Sequence, residues 1–189
     1  MRGNVRGLFI VLLLGLIGFP TACRMETRTV VTTQTIPGQT VTVTETAAGL
    51  TGDDEAAIYA AVIRQLCTID NTFGGKLQPP ALYIRDYTDD KAENSIAQES
   101  NSEPIPESVH STVLAMLNDL PTELIWIVRF DGNRPRVTLG NFYHQPDGTV
   151  QVAGSIYVAN NAAGGRTYIL RKDGGLWRIT GDTGQVWIS

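Results

Sequence analysis

Apolar residues recur along this 189-residue chain in three rhythms, and each rhythm names a different kind of element. The first is an unbroken run over positions 8–19, with Arg2 and Arg6 ahead of it and Pro20-Thr21-Ala22-Cys23 behind it. The second is an exchange of Thr and Val through Thr29-Val30-Val31-Thr32-Thr33 and again through Thr40-Val41-Thr42-Val43-Thr44, broken by Ile36-Pro37-Gly38. The third is helical: Ile58, Tyr59, Val62, Ile63 and Leu66 recur at three and four and predict a helix over 56–68 with one core face. Thr51, Asp53, Asp54 and Glu55 stand ahead of it, where a capping oxygen and negative charge favour a helix start. A second stripe, Val109, Val113, Met116, Leu117 and Leu120, predicts another helix, opened by Pro106 and closed by Pro121.

Strand patterns fill the remainder. Residues 81–85 follow Pro79-Pro80 as a short strand, and 125–130 is apolar on both faces, as an interior strand covered on both sides would be. Asp131-Gly132, Pro146-Asp147-Gly148, Gly164-Gly165 and Asp173-Gly174-Gly175 then punctuate strands at 136–144, 149–159, 166–172 and 176–180, and 186–188 can end the sheet. Turns this short serve hairpins, whereas parallel pairing needs a crossover of about a dozen residues, so the pattern predicts an antiparallel meander. Helices early and strands late give an α+β class: two helices packed on one curved antiparallel sheet of about five strands. The expected organisation is a signal peptide at 1–22, a Thr/Val-rich spacer at 23–52 and one α+β domain at 53–189, about 130 to 140 residues and enough for a single core. The rival reading of the spacer makes 40–46 an extra edge strand. Between the elements, 86–103 turns polar and acidic, a length at which loops carry function or lack order.

The opening run has the order of a secretory signal: positive start, apolar core, small residues. It falls short of the roughly 20 apolar residues that a spanning helix needs, which favours cleavage. Thr21-Ala22-Cys23 resembles a bacterial lipobox, although Pro20 stands where that family usually has Leu or another aliphatic residue. The resemblance implies that Cys23 receives a diacylglyceryl group, becomes the new N-terminus and anchors the protein to the cell membrane on its extracytoplasmic side. Ordinary cleavage with secretion, and retention as an uncleaved anchor, are the other two fates. Further on, Tyr168-Ile169-Leu170-Arg171-Lys172-Asp173-Gly174-Gly175-Leu176-Trp177-Arg178-Ile179 resembles the closing hairpin of NTF2-like and cystatin-like domains, which are common in exported bacterial proteins. That resemblance implies a cone between helix and bent sheet. It transfers no catalytic residue, because those families host enzymes, binding modules and inert partners alike.

Charge and chemistry narrow the function. A net charge of −4 with a pI near 5.1 leaves no basic footprint, so nucleic acid is not an expected partner. Asp182-Thr183-Gly184 matches the aspartic-protease triplet, but that chemistry needs two carboxylates sharing a proton and the sequence holds one copy, so a tight turn is expected. Asp86, Thr88 and Asp90 alternate like calcium ligands, with Glu93 and Glu99 nearby; Lys91 replaces the required Gly and no Glu follows at the twelfth position, so a solvated loop is expected. Gly74-Gly75-Lys76 lacks the preceding strand and following hydroxyl of a phosphate loop and reads as a turn. His110, on a helix flank, and His144, beside a hairpin turn, are too few for a zinc or copper site. Cys67 reads as a small packing residue, and Gly154-Ser155 lies inside a strand rather than at a nucleophile elbow. Trp126, Tyr143, Tyr157, Tyr168, Trp177 and Trp187 could line a cavity, but such rings more often build a core.

The expectation is therefore a non-catalytic envelope lipoprotein anchored at Cys23, with no catalytic residue, metal or cofactor, whose exported domain binds a partner protein or envelope component. The alternative is a small-ligand-binding or enzymatic domain using the interior of the cone, which a deep cavity holding a buried Asp, Glu or His would mark. A third reading, a purely structural surface module, would show a solid core and a featureless surface.

Overall fold

The computed structural model describes residues 28–36, 39–47, 49–71, 78–89, 102–129, 133–159 and 162–188. The expected signal at 1–22, the Pro20-Thr21-Ala22-Cys23 motif with the cysteine expected to carry the lipid anchor, Gly74-Gly75-Lys76, Asp131-Gly132 and the acidic stretch from Asp90 through Lys91, Glu93 and Glu99 lie outside the described residues. The chain divides into two compact units, Met1–Gly49 and Leu50–Ser189.

In the first unit the two Thr/Val runs pair with each other. Strands β1 (Arg28–Ile36) and β2 (Gln39–Ala47) form a separate two-stranded antiparallel sheet, in register from Arg28 opposite Ala47 to Ile36 opposite Gln39. β-Branched side chains suit a pleated ladder, and the break at Pro37-Gly38 falls between the two runs. Folded back on itself, the tract has the length of nine residues, about 30 Å, rather than that of one continuous extended segment.

The second unit starts with helix α1 (Gly52–Thr68). Its start is a reciprocal capping box: the Asp54 N–H donates to Thr51 Oγ1 at 3.2 Å, and the Thr51 N–H donates to Asp54 Oδ2 at 3.3 Å. Strand β3 (Ala81–Arg85), helix α2 (Glu107–Met116) and strands β4 (Glu123–Ile127), β5 (Arg136–His144), β6 (Val150–Ala159), β7 (Ala162–Asp173) and β8 (Leu176–Ile188) follow. The six-stranded sheet runs β4-β3-β5-β6-β7-β8.

Three features of this α+β sheet correct the sequence reading, the first being that β4, read as an interior strand over 125–130, lies at the sheet's edge among the described residues. Among the described residues the sheet has six strands rather than about five, and β3 pairs in parallel with both neighbours, β4 and β5, so the sheet is mixed. The α2 segment supplies the long crossover that parallel β3–β4 pairing requires, and only β5 to β8 form the antiparallel meander.

One face of the sheet carries the helices. Ile58, Val62, Ile63 and Leu66 of α1 and Val109 and Val113 of α2 form a single core with Leu82, Ile84, Val137, Leu139, Val152, Ile156 and Leu170 of the strands. Gly154 on β6 lets α1 approach: a Cβ there would lie 2.7 Å from Val62 Cγ1 and 3.3 Å from Leu66 Cδ1. Register shifts at Leu139/Phe142, Tyr157/Ala159, Arg166/Tyr168 and Ile169/Leu170 bend and twist the sheet beneath the helices. The space between the layers is occupied by side chains, with Tyr59 and Tyr168 the largest of those fully buried. Tyr59 Oη donates to the Gly140 carbonyl at 3.3 Å.

Candidate functional site

Strand alternation sends one residue in two to the face away from the helices, and there a groove forms. On β5, Val137 and Leu139 are fully buried in the core, which turns Arg136 and Thr138 outward. On β6, Gly154 and Ile156 face the helices, which turns Ser155 and Tyr157 outward. Register then aligns these residues in two rows: Arg136 opposite Tyr157 opposite Ala163, and Thr138 opposite Ser155 opposite Gly165 opposite Trp187. Because β7 contributes only Ala163 and Gly165 to these rows, the surface dips between Tyr157 and Trp187. The dip is a groove of about 190 Å³ bordered by Asp89, Arg136, Thr138, Ser155, Tyr157 and Trp187.

Its polar groups are positioned by their neighbours. The Arg136 guanidinium carbon lies 4.1 Å from the centre of the Tyr157 ring, a cation–π contact. Asp89 is drawn over β5 by its N–H, which donates to the Leu139 carbonyl at 2.7 Å, and its carboxylate accepts from Arg85 Nη1 at 3.2 Å. Beside the groove, Arg134 sits 5.2 Å from the ring centre of Tyr83, the residue opposite Arg136 on β3. Three guanidinium groups and one carboxylate thus gather on this part of a chain whose net charge is −4.

A second polar cluster joins the end of α1 to β7 and β8. Arg166 contacts Asp70 at 3.3 Å and Asp182 at 2.9 Å, Tyr168 Oη donates to Asp70 Oδ2 at 3.0 Å, and Gln65 Nε2 donates to the same oxygen at 3.0 Å. Burial first, then the charge of Asp70, pushes the Tyr168 phenol far above its ordinary value, so it stays protonated and donates. Asp182 also accepts the Gly184 N–H at 2.8 Å, and Gly184 has φ +80°. The protease-like triplet is therefore a bulged turn within β8, its carboxylate held by an arginine.

A third cluster fixes the start of α1. Lys172 Nζ donates to Asp54 Oδ1 at 2.6 Å and Trp177 Nε1 donates to it at 2.8 Å. Burial alone would raise the Asp54 carboxyl, yet the bonds from Lys172, Trp177 and Thr51 together hold it well below the carboxylate range. The β7–β8 hairpin acts here as a clamp on α1.

The other sequence candidates scatter. Asp86 points one carboxylate oxygen into a buried setting without a partner and Thr88 is tied to Glu103, while Asp90, the third of the alternating oxygens, lies outside the described residues. Among the described residues no group of three His, Cys, Asp or Glu could hold a metal. His110 lies in the core rather than on a flank: it is 7% exposed and stacks on Trp126 at 3.9 Å between ring centres, with Nδ1 3.2 Å from Glu107 Oε2. His144 is exposed at the end of β5. Cys67 is half-buried, and burial, partly opposed by Arg64, pushes its thiol up to about 11. Of the six aromatics, Tyr157 and Trp187 reach the groove, Tyr168, Trp126 and Trp177 join core or clamp, and Tyr143 is exposed.

Sequence reasoning missed Arg136, Thr138 and the Asp70–Arg166 pair. For Arg136 and Thr138 the signal exists in the alternation of Arg136-Val137-Thr138-Leu139; for Asp70, in the loop after α1, no local pattern marks the partner. Among the described residues no helix is long and apolar enough to cross a membrane. Comparison with protein-family models, curated proteins and solved structures returns no match.

Proposed function

We propose that the chain is a non-catalytic envelope lipoprotein, exported by residues 1–22 and anchored through Cys23, whose Leu50–Ser189 unit binds an envelope component at the outer-face groove. The supporting observation is the groove itself: a guanidinium stacked on Tyr157, a carboxylate, two hydroxyls and two aromatic rings gathered on the face away from the helices. Binding fits these groups better than catalysis does. Asp182 and Asp70 are held by Arg166, Tyr168 stays a phenol and Cys67 a thiol, which leaves these groups without an activated nucleophile. The finer fold reading is an NTF2-like or cystatin-like cone, supported by two helices on one bulged sheet face. Its interior is packed with side chains, which favours the groove over the cone as the binding surface.

A photoreactive residue at position 138 tests both halves of this reading in intact cells. The expected outcome is an adduct with an envelope component, absent when the same residue replaces exposed Met116 on α2. The cross-linked protein should sediment with membranes, and Cys23→Ser should move the unlinked protein to the supernatant. Equal labelling at positions 138 and 116 rejects the groove; an unmoved Cys23→Ser variant rejects the anchor.

A further inference from the structure

We infer that β4 is the docking edge for a second copy of this chain, the two β4 strands pairing antiparallel about Trp126 so that their sheets join into one. Among the described residues the two edges of the sheet differ. The β8 edge is bulged, whereas β4 pairs with β3 without a register shift, and Leu124-Ile125-Trp126-Ile127-Val128 holds no charge and no proline. A sheet edge with none of those guards is a template for another strand. Apolar side chains are exposed beside it, Val128 at 63% and Leu114 at 37%. Leu114 also lines, with Leu117, Leu120 and Leu124, a groove of about 230 Å³ where the segment after α2 meets β4. Exposed apolar surface of this kind marks a contact site.

Backbone direction and charge select the occupant. The Glu123 N–H donates to the Pro80 carbonyl at 3.0 Å and the Asp86 N–H donates to the Ile127 carbonyl at 3.1 Å, so the odd-numbered residues of β4 aim their backbone groups at β3. Leu124 and Trp126 therefore aim theirs outward, and Val128 continues the series. Antiparallel pairing with Trp126 opposite Trp126 of the second copy sets Leu124 opposite Val128 and Ile125 opposite Ile127. Outward backbone groups then meet outward backbone groups, and every central pair is apolar. The same register sets exposed Glu123 opposite exposed Arg129 at both ends of the interface. A strand acidic at its start and basic just past its end complements itself only in the antiparallel sense, as a two-fold interface requires; in-register parallel pairing would set like charge on like. The groove of the proposed function is lined from Asp89 and β5 to β8, not from β4, so failure at one surface leaves the other intact.

The test is sedimentation equilibrium of the full-length protein in density-matched detergent, joined to disulfide mapping of the register. The parent should form a concentration-dependent dimer. Glu123→Arg or Arg129→Glu alone should raise its dissociation constant about five-fold, because each sets like charges together at both ends of the interface, and the double variant should return to within about two-fold of the parent. Both positions are exposed, so the fold of each copy is kept. Mixing Glu123→Cys protein with Arg129→Cys protein under oxidation should give the mixed 123–129 disulfide, located by mass spectrometry, in excess over the disulfide of either protein with itself. In cells, a photoreactive residue at position 128 should capture a second copy. Monomer at every concentration overturns the pairing, as does a dimer indifferent to the single charge reversals. Disulfides of 123 with 123 or of 129 with 129 as abundant as the mixed one overturn it in favour of another register. An adduct from position 128 only with residues 28–47 of its own chain, or only with a different protein, overturns it in favour of that strand.

Discussion

At the scale of single residues, chemistry here is decided by what each polar group is tied to. Cys67 shows this most simply. Its thiol, raised to about 11 from an ordinary 9.0, carries almost no thiolate at neutral pH. A folded value above the unfolded one means stability that is complete below pH 9 and declines as pH rises from about 9 toward 11, where the unfolded chain alone ionises. In a Cys23→Ser background only Cys67 remains of the chain's two cysteines, so thiol labelling reads it alone. Labelling by an aromatic disulfide reagent at pH 8 should be at least ten-fold slower in buffer than in denaturant; equal rates would refute the burial. The packing role of Cys67 was legible in the sequence from its place beside an apolar helical stripe. The burial of His110 was not, because its partner Trp126 follows it by sixteen positions on another element.

At the scale of elements, the longest amphipathic pattern read correctly and the shorter ones only in part. α1 falls where its stripe lies, whereas α2 starts after Pro106 as read but ends at Met116, so Leu117 and Leu120 of its stripe lie in the turn beyond the helix. β3 and β4 are five residues each, too short for alternation to reveal direction, and their parallel pairing is set by the crossover through α2 rather than by local sequence. β8 runs farther than the 176–180 pattern because bulges interrupt its alternation. One of these contains the Asp182-Thr183-Gly184 turn, and since β8 is an edge strand the bulge also breaks the row of backbone groups that could recruit another chain. Contact between α1 and β6 depends on Gly154. Gly154→Ala should lower stability by about 1–3 kcal/mol, as overpacking does, while Gly181→Ala, with open space around its added methyl, should change it by less than about 0.5 kcal/mol. Adding Val62→Ala to Gly154→Ala should recover part of the loss, because the colliding methyl is removed. Urea midpoints of the four proteins check this, and equal effects at the two glycines would remove the close approach as the explanation.

At the scale of the whole Leu50–Ser189 unit, α1 is clamped at both ends to the last hairpin, by Asp54 with Lys172 and Trp177 at its start and by Asp70 with Arg166 and Tyr168 beyond its finish. These links join residues about a hundred positions apart, and the groove joins four strands in register, so neither could be read from local spacing; the turn-plus-Trp hairpin was visible, but not what its Trp would hold. The clamps tie both ends of α1 to the hairpin whose other face borders the groove. The Asp54 clamp has a pH signature whose sign follows from its depressed carboxyl. A folded value below the unfolded 3.8 contributes stability that is present above about pH 4 and is lost as pH falls from there toward the lower folded value. Asp54→Asn removes the charge that Lys172 and Trp177 recognise, so it should be less stable than the parent at pH 7, and the urea midpoints of the two should converge between pH 4 and about 2. Parallel midpoint curves across that range would show that the charge of Asp54 does not hold the hairpin to the helix.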